Sequence, residues 1–487
     1  MKLTDEQHSI VEHLKTSSST LPTLVNSVAG SGKTSLLTAI ANTLQPKKAL
    51  YLAYNKSIAT EAKHRFPSTV LCSTIHSFAY ASTVKPYKLT LGTLTYRDLP
   101  SFLSYDEKLE ILESLRQYFL SAYTSLETFA SDENLPKHYL EVMTSLTTAM
   151  ESGDSPCTHD FYLKFFHLLL HGNHVEFHDF DFIALDEAGD INPVTLEIVK
   201  LLPAKKKILV GDSRQNIYSF NHTINCFSQV TGNNFSMSKS FRVSPAIAAS
   251  IQTFCHEYID PAMSFIGTPQ NDSIISKAYI ARTNAMLIGK MMELNEYNIP
   301  YTLVRSADDI FRLPRALCSL SRTTKYITPE FKFLLDDVKD FYSNPDLIYT
   351  HKSLHSYLLH IYKDDPAISN TLKLINRYKT QGILNCYEEA KKHERTDTQL
   401  LLGSAHSFKG LEVDEVTIAE DLNASVSTVM ARMAVLNLTY DQLLPEEQSE
   451  LNLYYVACTR ARKVLNNATQ LHITKSQILK AIPNFDG

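Results

Sequence analysis

The stretch that decides the fold is Val28-Ala29-Gly30-Ser31-Gly32-Lys33-Thr34. A short apolar run at 24–25 precedes it, and an amphipathic segment at 35–44 follows it. The order is therefore strand, glycine loop and helix, which is the context in which Gly-Lys-Thr binds nucleoside triphosphates. Two glycines let backbone N–H groups surround phosphate oxygens at the positive end of a helix.

The chemistry expected of this loop is phosphate and magnesium binding. Lys33 can reach the outer phosphates, and the hydroxyl of Thr34 can bind Mg²⁺. The usual pattern GxxxxGK[ST] would place glycine at position 27, where this chain has Ser27. An ordinary glycine-rich turn between a strand and a helix is the alternative interpretation. The predicted nucleotide-binding residues of the loop are Ala29, Gly30, Ser31, Gly32, Lys33, Thr34 and Ser35.

Composition predicts a globular protein with several domains. The chain has 487 residues, of which 44% are hydrophobic and 20% are charged, and this suits two to four domains. Its acidic N-terminal stretch is unlike a signal peptide, and no apolar run is long enough for a membrane span. We therefore expect a soluble, unexported, cytoplasmic protein with no membrane partner. Seven scattered cysteines indicate reduced thiols.

The net charge and two clusters of charged or titratable residues have weak functional interpretations. The net charge of −5 argues against a generally basic surface but allows a local groove with phosphate contacts. His171, His174 and His178 could suggest zinc, but they lack a second ligand cluster, so we interpret them as solvated. The lysine run at 205–207 is interpreted as a solvated loop.

Apolar runs at 24–28, 49–54 and 69–72 alternate with helical patterns. Strands separated in this way by helices predict a parallel, doubly wound sheet with its ligands at the strand ends. From about 105 to 170 the pattern is mainly helical, which indicates an insertion in the sheet domain.

The strand pattern resumes at 182–187 and ends in two carboxylates. Asp186 can hold magnesium, and Glu187 can orient or deprotonate the attacking water, although acidic residues are common at strand ends. Another buried strand, at 208–212, is followed by Gln215. This amide could sense the terminal phosphate or position water; the alternative is a polar turn residue.

A second alternating region begins near Phe241. It has strands at 278–281, 301–304, 400–402 and 416–419, a helix at 284–295 and a helix ending at Arg462, with a helical insertion in between. Arg242 and Arg460 could bind phosphate oxygens across a cleft. Hydrolysis would then change how far the cleft closes, which would couple the nucleotide state to domain movement. The predicted domains are 1–80 with 172–236, carrying the insertion 81–171, and 237–305 with 397–487, carrying the insertion 306–396.

The ordered motifs resemble the UvrD-like superfamily 1 helicases, and among them the F-box DNA helicase branch and its phage or bacterial relatives. The resemblance implies two RecA-like P-loop domains that bind ATP and Mg²⁺. It also implies that Gln7 reads adenine, that Phe241 packs near it and that Glu412 contacts the nucleotide. The implied catalytic residues are Lys33, Glu187, Gln215, Arg242 and Arg460. The motifs lie at 3–7, 29–34, 54–56, 73–78, 185–190, 211–220, 240–242, 281–284, 404–412 and 452–461.

The same resemblance implies a path for single-stranded DNA. Tyr218 and Phe220 would stack on bases, which is sequence-tolerant. Two positions depart from the family pattern: Gly189 occupies the glutamine place of the DExQD box, and Asn221 stands where arginine is usual. The other implied DNA contacts are Asn55, Thr74, His76, Arg282, Ser404 and His406.

The implied function is an ATP-dependent DNA helicase or single-strand translocase that moves 3′ to 5′. Its expected partners are single-stranded DNA and junctions between duplex and single strand; proteins that load it or act with it in replication or repair are not specified. One alternative is a DNA-stimulated ATPase that mainly strips proteins from DNA, and another is an RNA motor. A binding protein with an impaired ATPase fits poorly with the intact Lys33, Asp186 and Glu187.

Overall fold

The computed structural model describes residues 3–217, 223–320, 327–328, 331–351, 353–363, 365–394 and 398–481. The chain divides into two compact units, Met1–Phe241 and Arg242–Gly487. Each unit is built on its own parallel sheet. In these described ranges, no helix is both long and apolar enough to cross a bilayer.

The first unit contains a six-stranded sheet in which every pairing is parallel. In spatial order β3-β2-β4-β5-β1-β6, the strand before the glycine loop lies two places from the strand that ends in the carboxylates. The fold prediction is confirmed for this unit. The strands are β1 (Thr23–Ser27), β2 (Ala49–Ala53), β3 (Val70–Thr74), β4 (Phe182–Asp186), β5 (Lys207–Gly211) and β6 (Asn233–Met237).

Helices cover both faces of this sheet, as alternation along β2 shows. Leu50 and Leu52 join the core that includes α6 and α9, while Tyr51 and Ala53 join the core formed with α1 to α3. The helices are α1 (Asp5–Thr16), α2 (Lys33–Leu44), α3 (Lys56–Arg65), α4 (Ile75–Ser82), α5 (Val84–Tyr87), α6 (Tyr105–Leu120), α7 (Leu126–Asp132), α8 (Lys137–Ser152), α9 (His159–His171), α10 (Pro193–Leu201) and α11 (Cys226–Gln229).

The second unit contains a five-stranded sheet in the order β11-β10-β7-β9-β8, again with parallel pairings throughout. Its strands are β7 (Lys277–Ala281), β8 (Thr302–Leu303), β9 (Leu400–Ser404), β10 (Val413–Ile418) and β11 (Ala461–Asn466). Its helices are α12 (Pro245–Tyr258), α13 (Asn284–Glu296), α14 (Ala307–Ile310), α15 (Arg312–Ser319), α16 (Phe333–Ser343), α17 (Pro345–His351), α18 (Leu354–Ile361), α19 (Pro366–His393), α20 (Glu420–Val435), α21 (Pro445–Cys458) and α22 (Lys475–Ala481).

One helix boundary was predicted wrongly. The helix expected to end at Arg462 ends at Cys458, and Arg462 lies in strand β11 at the edge of the second sheet. An edge strand is only half-buried, so the polar residues Arg462 and Lys463 are tolerated in it and hide its strand character.

The lysine run at 205–207 is also not simply solvated. The ammonium group of Lys205 pairs with Asp181 at 2.7 Å. The ammonium group of Lys206 donates to the carbonyl oxygens of Leu14 and Ser17 at the C-terminal end of α1. Cations at this end of a helix satisfy its last carbonyl groups. All seven cysteines are buried, and none forms a disulfide.

Candidate nucleotide-binding site

The glycine loop joins β1 to α2 in the first unit and has the backbone that phosphate binding requires. Gly30 and Gly32 have φ angles of 73° and 82°, a region that favours glycine. Two neighbouring residues hold the loop: the Ser240 hydroxyl donates to the carbonyl oxygen of Ala29 at 2.7 Å, and the Phe241 N–H donates to that of Gly30 at 2.9 Å. A side chain at Gly32 would meet Gln7 and the Phe241 ring.

Ser27 has a structural role that accounts for the missing glycine. It lies at the end of β1 with its side chain fully buried, and its backbone is not in the left-handed region. Its hydroxyl donates to the carbonyl oxygen of Gly211 at 2.8 Å, which ties β1 to β5. A glycine here would lose this bond, so the departure from GxxxxGK[ST] is compatible with the loop.

A buried group of charges lies beside the loop. The Nζ atom of Lys33 is 3.0 Å from Oε1 of Glu187, and Asp186 is only 4% exposed. Burial alone would lower the pKa of Lys33, but the charges of Glu187, Asp186 and Asp212 outweigh it and raise that pKa. Lys33 therefore stays charged across the physiological range and supplies a fixed cation.

The carboxyl group of Asp186 is held at both oxygen atoms. The Tyr51 hydroxyl donates to Oδ2 at 2.7 Å, and the Glu187 N–H donates to Oδ1 at 2.9 Å. Burial, followed by the charge of Glu187, raises the pKa of Asp186 to about 6, although Lys33 and the Tyr51 hydrogen bond oppose the shift. Asp186 is a hard oxygen donor of the kind that suits Mg²⁺. The sequence analysis did not identify Tyr51.

Glu187 has a φ angle of 55°, a rare backbone conformation for a residue with a side chain. Such conformations cluster at functional sites because the surrounding structure must enforce them. Here the turn follows immediately after β4, and the Glu187 carboxylate reaches Lys33.

Gln215 lies in a short 3-10 turn, Ser213–Gln215, that is fixed to the strand before the loop. Its amide nitrogen donates to Oδ2 of Asp212 at 3.0 Å, and Nε of Arg214 donates to Oδ1 of Asp212, also at 3.0 Å. Asn26 on β1 exchanges hydrogen bonds with Ser213 at 2.9 and 3.1 Å. This geometry anchors Gln215 near the site, and its role as a phosphate sensor stays a prediction.

Gly189, the departure from the DExQD box, has a steric explanation. A β-carbon at this position would overlap the backbone carbonyl oxygen of Asp212, and one at Gly211 would meet the backbone of Ala188 and Gly189. The turn after β4 and the turn after β5 therefore pack backbone against backbone, which no larger residue at position 189 permits without movement.

Gln7, the expected adenine reader, packs against the glycine loop. It is 1% exposed, and its Nε2 atom donates to the carbonyl oxygen of Ser31 at 3.2 Å. Its Oε1 atom accepts from the N–H of Thr4 in a capping box at the start of α1. Phe241, the expected adenine neighbour, is 47% exposed, and its ring lies 3.8 Å from the position that a β-carbon of Gly32 would occupy.

The second unit brings its own three predicted nucleotide residues together. The guanidinium groups of Arg242 and Arg462 both pair with the carboxylate of Glu412. Although burial opposes the shift, these arginines lower the pKa of Glu412. Arg460 is 1% exposed, and its Nη1 atom donates to the carbonyl oxygen of Leu411, the residue before Glu412, at 3.3 Å. Arg462 was not among the predicted site residues.

The described residues that are predicted to contact DNA lie at helix N-termini, at a strand end, in a turn or in an ion pair. Asn55 and Thr74 cap the N-termini of α3 and α4. Arg282 forms a two-nitrogen ion pair with Glu450, with Nε and Nη2 2.9 and 2.6 Å from Oε1. Ser404 ends β9, and His406 lies in the following turn. The predicted residues Tyr218 and Phe220, and the departure at Asn221, lie outside the described residues.

A cavity of about 270 Å³ in the first unit is lined by residues with two different predicted roles. It is lined by His76, a predicted DNA contact, and by Asp186, the predicted metal ligand, with Arg116 and Asp160 from α6 and α9. Burial lowers the pKa of His76, and its Nδ1 atom is buried without a hydrogen-bond partner.

These features define a P-loop protein with two RecA-like α/β domains. The model of the AAA domain family matches residues 7–221. F-box DNA helicase 1 of Gallus gallus is 27% identical over 96% of this chain and 49% of its own length. F-box DNA helicase protein 1 of Schizosaccharomyces pombe is 24% identical over 98% of this chain and 59% of its own length. The chain thus spans about half the length of these relatives.

A third relative is a probable DNA helicase II homolog of Mycoplasma genitalium, which is 25% identical over 45% of this chain and 37% of its own length. The near-complete coverage of this chain by the two F-box DNA helicases, together with the AAA-domain match, confirms the predicted resemblance to UvrD-like superfamily 1 helicases and their F-box branch.

Proposed function

We propose that the chain binds ATP and Mg²⁺ at the glycine loop and hydrolyses ATP. The observation that carries the proposal is the buried group of Lys33, Asp186 and Glu187 beside a loop with glycine-specific backbone angles. The Ser31 hydroxyl in the same loop is buried without a hydrogen-bond partner, as expected of a group awaiting a polar ligand. Oxygen donors from Asp186 and Thr34 fit Mg²⁺.

Each residue has a distinct proposed task. Lys33 binds the outer phosphates and gives up its contact with Glu187, which then accepts a proton from water. Gln215 helps to orient that water. Mg²⁺, when bound, neutralises phosphate charge. Arg242 and Arg460 of the second unit complete the charge stabilisation, and Glu412 and Gln7 contact the nucleotide.

We further propose that hydrolysis drives 3′-to-5′ movement along single-stranded DNA and separates duplexes at junctions. The names of the relatives support the DNA substrate, and the cavity that His76 shares with Asp186 supports communication between the two sites. We expect a cytoplasmic protein with roles in DNA replication, recombination or repair.

A second candidate function is an ATPase that strips proteins from DNA and unwinds poorly. The observation in its favour is Gly189, because the side chain that would couple nucleotide to DNA in the DExQD box is missing.

Measuring ATP hydrolysis with single-stranded DNA, single-stranded RNA or no nucleic acid tests the substrate class. Stronger stimulation by RNA would favour an RNA motor.

Strand displacement on duplexes with either a 3′ or a 5′ single-stranded tail tests the movement. Unwinding from the 3′ tail is expected, and unwinding from only the 5′ tail would refute the polarity. Brisk DNA-stimulated hydrolysis without unwinding of either duplex would favour the stripping activity. Phe220→Ala should weaken DNA stimulation if that ring stacks on bases.

A further inference from the structure

Parallel pairing of β2 with β4 places a tyrosine beside the predicted metal ligand. Tyr51 is directly opposite Ala184 in this register. Because side chains alternate along a strand, Ala184 and Asp186 point to the same face. Alanine leaves room for the long tyrosine side chain to extend two residues further along β4, to Asp186.

Neighbouring groups hold both the Tyr51 ring and the Asp186 carboxylate in place. Tyr51 is fully buried, and its ring packs against that of Phe66 with a centroid distance of 4.9 Å. Its hydroxyl is 2.7 Å from Oδ2 of Asp186, and the N–H of Glu187 holds the other carboxylate oxygen. The two donors therefore fix the rotation of the Asp186 carboxylate.

We propose that Tyr51 is a positioning residue for magnesium, which orients the Asp186 carboxylate for the ion through its hydroxyl hydrogen bond. This inference rests on the proposed ATP and Mg²⁺ site. Partners of metal ligands generally set ligand orientation, and their loss typically weakens metal binding about 10- to 100-fold. No nucleotide contact is assigned to Tyr51, so nucleotide binding without metal should not depend on its hydroxyl.

The test is Tyr51→Phe in the full chain, which removes one oxygen atom and keeps the ring. The Mg²⁺ concentration for half-maximal ATP hydrolysis should rise about tenfold, with the rate at saturating Mg²⁺ close to wild type. Binding of Mn²⁺ in the presence of a non-hydrolysable ATP analogue, followed by electron paramagnetic resonance, should weaken by a similar factor. Binding of a fluorescent ATP analogue in EDTA should be unchanged.

Tyr258→Phe is the matched control. Tyr258 is 1% exposed, and its hydroxyl donates to the carbonyl oxygen of Ile473 at 2.8 Å, so the change also removes one hydrogen bond from a buried tyrosine. This variant should keep the wild-type Mg²⁺ dependence. In an Asp186→Asn background, Tyr51→Phe should have little further effect on Mn²⁺ binding, because the two residues act as one unit.

Distinct results would overturn the inference and the proposed function. If wild type binds nucleotide with Mg²⁺ and Tyr51→Phe has the same metal dependence, the inference alone is wrong. Loss of metal-free nucleotide binding in Tyr51→Phe would also refute it, because the hydroxyl would then support the loop. If wild type binds no nucleotide under any condition, the proposed function fails and this inference fails with it.

Discussion

Lys33 is the residue of the buried charge group that we propose to bind phosphate. Its ammonium group is 3.0 Å from the carboxylate of Glu187. Lys33→Ala should reduce ATP hydrolysis at least about 100-fold, since it removes a preorganised cation from a water-poor site. The measurement is steady-state hydrolysis with saturating DNA. Lys339→Ala, which removes an exposed lysine, is the control. A Lys33→Ala variant that retains most of its turnover would refute the assigned role.

Gly189 offers a second prediction at the residue scale. Gly189→Ala should destabilise the first unit by about 1–3 kcal/mol, because the added methyl group would overlap the Asp212 carbonyl oxygen. Gly289→Ala is the matched control: a β-carbon at this helical glycine would make only an ordinary contact, 3.9 Å from Cδ1 of Leu374, and alanine should stabilise by about 0.5–1 kcal/mol. Thermal unfolding measures both. If Gly189→Ala unfolds at the same temperature as wild type, the two turns can move apart at little cost in free energy.

The sequence revealed the residues of the loop and both carboxylates because their chemistry is local and their order follows the chain. It did not reveal Tyr51, whose role depends on the register of two strands that are far apart in sequence. It likewise showed Gly189 only as a departure, because its steric reason is a backbone that approaches from another loop.

At the scale of elements, α9 carries a buried histidine that makes the first unit sensitive to acid. Burial, followed by the charge of Lys164, lowers the pKa of His167 to about 4. An unfolded histidine has a pKa near 6.5 and so binds protons first as pH falls. The contribution of neutral His167 to stability is therefore full above about pH 6.5 and is lost as pH falls towards about 4, by at most about 1.4 kcal/mol per pH unit.

His167→Leu should remove this dependence. Thermal unfolding at pH 7.5 and pH 5 should show a larger loss of stability for wild type than for the variant. Phe166→Leu provides the control, since Phe166 is a fully buried residue of the same helix with no titratable group, and this change should leave the pH dependence as in wild type. Equal losses in wild type and His167→Leu would contradict the prediction.

Strands with apolar runs were predictable, including the edge strands β3 and β8, whereas two polar edge strands were not. The runs that became β2, β4 and β5 are almost continuously apolar because both faces of a central parallel strand are covered. β6, with the sequence Asn-Asn-Phe-Ser-Met, was missed because it lies at the edge of the first sheet and carries polar residues. The same reason explains why β11 was taken for helix.

At the scale of the whole molecule, each unit has its own sheet and hydrophobic core. We therefore expect the fragment 1–241 to fold by itself and to bind a fluorescent ATP analogue with Mg²⁺. It should not hydrolyse ATP at the wild-type rate, because it lacks Arg242 and Arg460, to which the proposed function assigns charge stabilisation. Circular dichroism and equilibrium binding measure the first two properties. Full turnover by the fragment would remove both arginines from the mechanism.

The burial of every cysteine has a practical consequence for measuring the proposed domain movement. A thiol reacts with maleimide as the thiolate, and burial raises the pKa of six of these seven thiols, with that of Cys72 at about 11 and that of Cys386 at about 12. The natural chain should therefore label slowly. A single cysteine introduced on an exposed helix of each unit would then carry a fluorophore selectively, so that energy transfer could report domain movement during each ATP cycle.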